Sequence, residues 1–353
     1  MEERLSWKIT REELRKIYRT FDKLTGTVEP SYRVLHFFYR DGLTLFATDG
    51  VAKLEFLASE MPSFDGIYSI PLNDLKVVLQ GQRNEQITFE FSGKNVNIFT
   101  ESEFLQVRNA QRSDFPFHVS NGFEDICRVF LTSFQESLDF ASVVLEEPEN
   151  AGFVIFDNAM YVVGISHNVG CVAKVGNTEL DRLFLGEVPY VTARHLVKSL
   201  SEIQEQNRLT IGFNGDEISL TCGRFAYHVM LEPSLPRSTT RLLKLISSVN
   251  GEEMDLRELL ATLKKAYTFH PRGVVRIMRA RGSPDRWQVS MQIATGLYVS
   301  KIRSLGELDG VLITEVHRLR SAMMRLGNSA RISHVGGSMV LSAGDKHLFL
   351  AIR

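Results

Sequence analysis

Alternating apolar and polar positions recur along the chain at a long, regular interval. The segment ITFEFSGKNVNIFT from Ile87 matches LTIGFNGDEISLTC from Leu209 without a gap, 122 residues apart. Both alternate around a Ser-Gly or Asn-Gly pair, which is a strong signal for a β-hairpin. A weaker third copy, ARISHVGGSMVLS, has Gly336 and Gly337 at its turn. The three copies predict an internal repeat.

Two helices are predicted upstream of each hairpin. Apolar residues spaced three and four apart form one stripe in the first long helix, which is typical of a helix that packs on a sheet. Each third is therefore predicted to contain a strand, a long helix, about three strands, a shorter helix and three strands. The predicted long helices are residues 10–24, 132–146 and 255–268, and the shorter ones are 71–79, 192–203 and 314–326.

Length and composition agree with this repeat. The chain has 353 residues, of which 44% are hydrophobic and 24% charged, as in folded proteins with more than one domain. We predict an α+β fold with three tandem copies of one helix-and-antiparallel-sheet domain. The predicted domains are residues 1–118, 119–244 and 245–353.

The predicted outer faces of several helices are basic. The first long helix places Lys16, Arg19 and Lys23 opposite its apolar stripe, whereas the second long helix places Glu136 and Asp139 there. The outer face of the shorter helix after Val191 carries Arg194, His195 and Lys198. Because 41 Lys and Arg balance 42 Asp and Glu, for a formal net charge of −1, any affinity for nucleic acid must be local. Charged helix faces are commonly only solvated, and that alternative stays open.

Compartment signals point to the cytoplasm. The acidic start Met-Glu-Glu-Arg-Leu differs from a signal peptide, and no apolar run is long enough to span a membrane. The cysteines, Cys127, Cys171 and Cys222, are odd in number and lack CxxC spacing, as expected for a reduced compartment. We predict a cytoplasmic protein without a membrane partner.

Catalytic motifs are not found in the sequence. GKNVNIF lacks the glycines of a phosphate loop, Gly-Ile-Ser-His-Asn fails the nucleophile-elbow pattern at its last position, and no HExxH is present. His167 with Cys171 could form a base and nucleophile, but a packed Cys and a surface His are the simpler interpretation. His228 is read as a half-exposed strand residue. We predict no enzyme, no metal and no cofactor.

With these patterns the chain resembles the bacterial DNA sliding clamp family, the beta subunit of the replicative DNA polymerase III, as a divergent member. The best local matches are LTLFATDG from Leu43, the Ser113-to-Pro116 segment SDFP, and RGVVRI from Arg272. The order and spacing of the helices and strands agree over nearly the whole length. The resemblance implies the DNA clamp fold, a head-to-tail homodimeric ring, and a processivity factor that encircles duplex DNA without sequence preference.

A ring that slides needs contacts to phosphates rather than to bases, because base-specific contacts would hold it at one site. By position in the resemblance, the residues that line the hole and contact DNA are expected to be Lys16, Arg19, Lys23, Arg194, Lys198, Lys265, Arg318 and Arg325. The resemblance also implies that residues 104–108 form an edge strand at the dimer interface. Its Leu105 and Val107 are expected to meet Tyr267 and Phe269 of the other copy, with an intradomain core role as the alternative.

The family also has an apolar groove for short motifs of the clamp loader, polymerases and other DNA enzymes. The run Thr-Asp-Gly-His-Arg-Leu of the family is Ile-Ser-His-Asn-Val-Gly here, and its Met-Pro-Met-Arg end is Leu-Ala-Ile-Arg. A clamp-like scaffold or regulatory paralogue with an altered groove is therefore an alternative, and an enzyme on a repeated α+β scaffold is a more distant one. The expected groove residues are Ile165, Gly170, Leu242, Leu348, Leu350, Ile352 and Arg353.

Overall fold

The computed structural model describes residues 5–26, 30–59, 64–93, 95–109, 121–203, 207–233, 237–283 and 285–353. The chain forms two compact units. Unit 1 contains Met1–Gln135 and Arg194–Leu231, and unit 2 contains Glu136–Ala193 and Glu232–Arg353. The division into three domains stays a prediction, and both its first boundary and the Ser113-to-Pro116 segment lie outside the described residues.

The same order of elements occurs three times. Each copy has a strand, a long helix, four strands, a shorter helix and three strands, so the predicted order is confirmed except that four strands replace the expected three. The first copy contains β1 Leu5–Thr10, α1 Arg11–Thr25, β2 Val34–Tyr39, β3 Leu43–Thr48, β4 Ala52–Ser59, β5 Tyr68–Pro71, α2 Leu72–Val78, β6 Gln86–Ser92, β7 Asn95–Phe99 and β8 Phe104–Arg108.

The second copy is followed by a helix that the sequence did not predict, α5, which has no counterpart among the described residues of the other copies. The second copy contains β9 Glu124–Phe130, α3 Leu131–Ser142, β10 Asn150–Phe156, β11 Ala159–Ser166, β12 Val169–Asn177, β13 Arg182–Pro189, α4 Tyr190–Leu200, β14 Arg208–Phe213, β15 Glu217–Cys222 and β16 Phe225–Met230, followed by α5 Arg237–Ile246. The third contains β17 Glu252–Asp255, α6 Arg257–Phe269, β18 Val274–Arg279, β19 Arg286–Ile293, β20 Gly296–Arg303, β21 Val311–Glu315, α7 Val316–Leu326, β22 Ser329–Val335, β23 Ser338–Ala343 and β24 Lys346–Ala351.

Each unit contains one eight-stranded and one four-stranded antiparallel sheet. Unit 1 has the orders β5-β2-β3-β4-β16-β15-β14-β9 and β1-β6-β7-β8. Unit 2 has the orders β13-β10-β11-β12-β24-β23-β22-β17 and β20-β19-β18-β21. Both eight-stranded sheets therefore combine strands of two successive repeat copies, which meet at β4–β16 and at β12–β24.

Helix α1 shows how the sequence forms these elements. The side chain of Thr10 accepts a hydrogen bond from the backbone N–H of Glu13 at 3.3 Å and caps the start of the helix. The predicted stripe is confirmed, because Leu14, Phe21 and Leu24 are fully buried. The helix ends at Gly26, whose φ of 61° favours glycine.

The three predicted hairpins are also confirmed. Their central pairs are β6 with β7, β14 with β15, and β22 with β23. The turn of the third hairpin has Gly336 and Gly337 at φ 58° and 78°, a left-handed conformation that only glycine adopts without strain. In the described part of the chain, no helix is both long and apolar enough to cross a bilayer.

Candidate functional surfaces

The exposed face of α1 carries three cations in unit 1. Lys16, Arg19 and Lys23, here called the α1 row, are exposed on the side of the helix away from its buried stripe. Two of them line a polar cleft together with Arg83, which lies in the segment between α2 and β6. Arg83 was not a predicted site residue, because it belongs to no amphipathic helix and its place beside α1 depends on the tertiary fold.

The residues of α4 and α6 that are expected to contact DNA differ in their exposure to solvent. Lys198 in unit 1 and Lys265 in unit 2 are exposed, while Arg194 is half-buried. His195, which the helical pattern placed on the basic outer face, is buried, with its Nδ1 2.8 Å from Asp49 Oδ2. The exposed cations of α4 are therefore fewer than the pattern predicted.

Salt bridges account for the acidic residues of α3. Arg325 on α7 donates from Nη2 to Asp139 Oδ1 at 3.0 Å, and Lys346 on β24 donates to Glu136 Oε2 at 3.0 Å. Both acids that broke the basic pattern thus have a cationic partner within unit 2. Arg325 is already paired in this way, so its expected contact with DNA would compete with Asp139.

The expectation that Arg318 contacts DNA needs correction. The residue is only 5% exposed, and its guanidinium faces the interior of unit 2. It contacts Glu315 Oε2 at 2.6 Å, Glu149 Oε2 at 3.0 Å and Glu146 Oε2 at 3.2 Å, and it also bonds to Ser166. A phosphate could reach this buried guanidinium only by displacing three carboxylates that already hold it.

A possible cation site overlaps this cluster. Among the described residues, Glu146, Glu315 and His317 bring ligand atoms within 4.8 Å of one another. His317 Nε2 lies 2.9 Å from Glu146 Oε1, and the Arg318 guanidinium contacts both carboxylates. The positive charge that these carboxylates need is therefore already supplied by an arginine, and the cluster is best described as a salt-bridge network.

The expected dimer-interface residues lie at two sheet edges. In unit 1, β8 is an edge strand, with Leu105 half-buried and Val107 buried. In unit 2, Phe269 at the end of α6 is 56% exposed and contacts Tyr298 on the edge strand β20, while Tyr267 packs under Arg320.

Further apolar residues at these edges were not predicted. Phe104 on β8 is 60% exposed, and on β20 Leu297 is 62% and Val299 is 45% exposed. The apolar residues of both strands were visible in the sequence, and the resemblance implied that residues 104–108 form an edge strand. The edge position of β20 was not predicted, because strand order is a property of the folded sheets. Apolar side chains exposed along a free strand edge are typical of a pairing surface.

The expected groove residues fall on both faces of the second eight-stranded sheet. Gly170 pairs with Ile165 and with Phe349, and Leu242 of α5 packs directly against Gly170. Leu348 and Leu350 are 0% and 2% exposed and lie on the opposite face, since neighbouring strand residues alternate. These two leucines therefore do not share a face with Gly170 and Leu242, whereas Phe349 does.

Helix α5 covers this face of the sheet. Its Leu243 is part of a buried cluster with Val172 and Phe349, and Leu245 and Ile246 pack against the same cluster. At the end of the chain, Ile352 bridges to Leu312, and Arg353 donates to Asn168 Oδ1 at 3.1 Å. The face that holds Ile165, Gly170, Leu242 and Phe349 is here called the α5 face.

The candidate nucleophile and bases do not combine into a reactive site. Cys171 is fully buried, and burial raises the pKa of its thiol, which disfavours the thiolate. His167 is exposed in the turn between β11 and β12. His228 is buried rather than half-exposed, and its Nδ1 has no hydrogen-bond partner among the described residues.

Burial of His228 gives the protein a specific sensitivity to acid. Desolvation lowers the pKa of His228 to about 4, below the ordinary value of 6.5. As pH falls below 6.5, the unfolded chain takes up this proton before the folded protein does, so stability is lost between pH 6.5 and about 4. The loss is roughly 1.4 kcal/mol per pH unit, or about 2 kcal/mol at pH 5.

We expect His228→Gln to remove this part of the pH dependence of the unfolding free energy, measured by denaturant titration between pH 7.5 and 5. His270→Gln is the matched control, because His270 is exposed and its replacement should leave the pH dependence unchanged. Parallel pH profiles for His228→Gln and the unaltered protein would contradict a buried neutral imidazole.

Comparison with solved structures defines the fold class. The chain adopts the DNA clamp fold over its whole length. It is similar to a putative DNA polymerase III beta subunit from Eubacterium rectale ATCC 33656, with a TM-score of 0.80, 12% identity and 99% of each chain covered. The DNA polymerase III subunit beta from Pseudomonas aeruginosa gives a TM-score of 0.79 at 13% identity, covering 99% of this chain and 100% of that one.

A third similar structure is the DNA polymerase III beta subunit from Thermotoga maritima, with a TM-score of 0.78, 12% identity and 99% of each chain covered. No protein-family model matches the chain, and no curated protein matches it either. The resemblance inferred from the sequence is thus confirmed at the level of the fold.

Proposed function

We propose that this protein is a DNA sliding clamp, a ring of two copies that encircles duplex DNA and tethers a polymerase and other DNA enzymes without catalytic activity of its own. The observation that carries the proposal is the DNA clamp fold over 99% of the chain, found together with an exposed basic row on a helix. The similar structures are DNA polymerase III beta subunits, which supports the proposal of a clamp.

The α1 row suits contact with a duplex backbone. Lys16, Arg19 and Lys23 are exposed on one helix face and can move their charges without any fixed base-reading geometry. Such contacts neutralise phosphates and release counterions, so they hold DNA without sequence preference. Lys198 belongs to the same proposed surface, and Arg83 joins it as a residue that the sequence did not suggest.

Ring closure is proposed to pair β8 of one copy with β20 of the other. Both strands end a four-stranded sheet, and both expose apolar side chains at that edge. Such a pairing is head-to-tail, and two copies related by a two-fold axis make it twice, which closes the ring. Leu105 and Val107 on one side, and Tyr267 and Phe269 on the other, remain the proposed interface.

Partner binding is proposed at the α5 face, where the loader and polymerase would insert short apolar motifs. Ile165, Gly170, Leu242 and Phe349 come together there. Because Leu242 already fills the space above Gly170, a partner has to bind beside α5 or displace Leu242. This packing is also the observation that favours the second candidate, a clamp-shaped scaffold or regulator with an altered partner groove.

Charge reversal of the α1 row tests the DNA contact. For the triple variant Lys16→Glu, Arg19→Glu and Lys23→Glu, we expect weaker binding to duplex DNA and a shallower dependence of log affinity on log salt. The slope should fall by about 0.9 for each phosphate contact, or about 2.7 for three. Fluorescence anisotropy of a labelled duplex over a series of potassium chloride concentrations measures both quantities.

A second triple variant separates a local contact from net charge. Lys8→Glu, Lys76→Glu and Lys244→Glu change the net charge equally at exposed positions on other elements. We expect this control to keep most of the salt slope. Equal losses in the two triples would mean that net charge alone governs binding. An unchanged slope in both would remove the α1 row from the DNA contact and favour the scaffold.

A further inference from the structure

The internal repeat indicates which strand would pair with each of the two sheet edges, β8 and β20. β4, β12 and β20 hold the same place in the three copies, and so do β8, β16 and β24. Within the chain, β4 pairs with β16 and β12 pairs with β24. Among the described strands, β8 and β20 are the two members of these sets without such a partner, and each forms a sheet edge.

The position of each residue in β8 follows from its hairpin turn. In the ungapped repeat, Thr100 corresponds to Cys222. Cys222 pairs with Phe225 across a tight turn, and Thr100 donates to the carbonyl of Glu103 at 3.0 Å in the same way. Glu103 therefore corresponds to Phe225, and by counting along the strand Val107 corresponds to Val229.

The same reasoning applies to β20. Ser166 pairs with Val169, and Ile293 pairs with Gly296, across turns of equal length. Asp49 donates to the carbonyl of Ala52 at 3.1 Å in the matching turn. Gly296 therefore corresponds to Ala52 and to Val169.

Both pairings within the chain give one common register. Val229 lies opposite Ala52, and Leu350, which corresponds to Val107, lies opposite Val169. The repeat therefore sets Val107 of one copy opposite Gly296 of the other. Leu105 then faces Tyr298, and Phe104 faces Val299.

A backbone hydrogen bond supports this register. Just beyond the paired residues, the N–H of Leu57 donates to the carbonyl of Arg224 at 3.1 Å, and the N–H of Lys174 donates to the carbonyl of Asp345 at 2.9 Å. These pairs occupy matching places at the two junctions. The corresponding pair at the third junction is Lys301 of one copy and the carbonyl of Ser102 of the other.

The exposed apolar residues fit this register. Tyr227 and Leu54, which correspond to Leu105 and Tyr298, are both fully buried at their junction. On the other face of the proposed sheet, Phe104 and Val299 are directly opposite each other. Both are strongly exposed in the single chain, and pairing would remove them from water.

The long helices extend the comparison to α6. All three begin with the same backbone hydrogen bond, so equal steps along them give equivalent residues. Phe269 then holds the place of Leu24, which is fully buried, although Phe269 itself is 56% exposed. The three bonds are Arg11 to Glu85 at 2.9 Å, Leu131 to Asn207 at 3.0 Å, and Leu256 to Asn328 at 2.7 Å.

Lys265 holds the place of Thr20 and Phe140, both of which are buried. In unit 1, Thr20 and Phe225 line one cavity between α1 and the β4–β16 junction. Since Phe225 corresponds to Glu103, the repeat brings Glu103 of one copy to Lys265 of the other. Both residues are exposed in the single chain, and their charges are opposite; Glu103 Oε2 also lies 4.0 Å from Arg11 Nη2 of its own copy, a long contact that leaves the carboxylate 64% exposed.

We infer that the ring closes in the register that sets Phe104 opposite Val299, with Glu103 of one copy paired to Lys265 of the other. This inference rests on the ring proposed above and makes its interface specific. It assigns Lys265 to closure rather than to the DNA contact. The partner of this surface is a second copy of the same chain.

Disulfide trapping tests the register. Residues directly opposite each other in an antiparallel pair have Cα atoms about 5.5 Å apart, within reach of a disulfide. We expect the Phe104→Cys, Val299→Cys variant to form a covalent dimer under mild oxidation on a non-reducing gel. The native cysteines are all buried and should contribute little background.

Two shifted pairs are the controls. Phe104→Cys combined with Leu297→Cys or with Lys301→Cys places the thiols two residues out of register, and little cross-linking is expected. A control pair that cross-links faster overturns the register but keeps the ring. If the protein sediments as a dimer but none of the cysteine pairs cross-links, the proposed edge pairing is overturned. If the unaltered protein is a monomer, the proposed ring itself is overturned.

The ion pair has its own test. Glu103→Lys and Lys265→Glu are each expected to raise the dimer dissociation constant about tenfold, and the two changes together should restore most of the affinity. Glu101→Lys, a neighbouring exposed residue, should have a smaller effect. If Lys265→Glu weakens DNA binding and leaves dimerisation unchanged, Lys265 belongs to the DNA contact and the ion pair is overturned.

Discussion

Replacing Leu105 with aspartate is expected to leave the protein monomeric at micromolar concentrations. Leu105 is half-buried on the edge strand β8, and in the proposed ring it becomes covered opposite Tyr298. A carboxylate at that place would be desolvated without a partner, at a cost of several kcal/mol. We therefore expect the dimer dissociation constant to rise by about a thousandfold, since each 1.4 kcal/mol is roughly a factor of ten.

Sedimentation velocity over a concentration series measures this change. Thr221→Asp is the matched control, because Thr221 is exposed on a strand that already has neighbours on both sides. Circular dichroism and thermal melting should show both variants folded, as Leu105 is at an edge and only half-buried. A Leu105→Asp variant that still sediments as a dimer would place the interface elsewhere.

Replacing Arg318 with methionine is expected to destabilise the folded protein by about 2–3 kcal/mol. The methionine has a similar length but leaves Glu146, Glu149 and Glu315 close together without their shared cation. The loss is smaller than for a fully buried ion pair, because the three carboxylates are partly exposed and water screens their repulsion. Denaturation by guanidinium chloride measures the free energy of unfolding.

Two comparisons make this result specific. Arg320→Met changes a half-buried arginine two residues further along the same helix, where Arg320 stacks over the Tyr267 ring, and should cost about 1 kcal/mol or less. Arg318→Met should also keep the DNA salt slope, since the buried guanidinium is not a phosphate contact. A stable Arg318→Met variant with a reduced slope would restore the original expectation for this residue.

Local patterns in the sequence were enough to predict most elements. The stripe of α1 and the three hairpins depend on residues close together in the chain, such as the cap at Thr10 and the turn at Gly336 and Gly337. Because the pattern occurs three times, an element predicted in one copy was also expected in the other two. Helix α5 was missed because it belongs to none of the repeated segments that the sequence comparison identified.

Predictions of site residues were less successful where long-range contacts decide the outcome. A helical pattern predicts the face of α7 on which Arg318 lies. It does not predict that Glu146 and Glu149, which are distant in the chain, contact that face. The same limit applies to His195, which is covered by Asp49. The alternation of residues along β24 shows that Leu348 and Leu350 share one face of the strand. It does not show which face of the strand is covered by α5.

The sequence by itself determined the repeated order of helices and strands, the hairpin turns and the basic side of α1, because these depend on neighbouring residues and on one repeated pattern. Only the tertiary structure decided that β20 is an edge, that Arg318 is buried and that Phe349 faces α5. Strand order, register and burial come from contacts between segments far apart in the chain. Those contacts are selected by packing of the whole core, which no single stretch of sequence specifies.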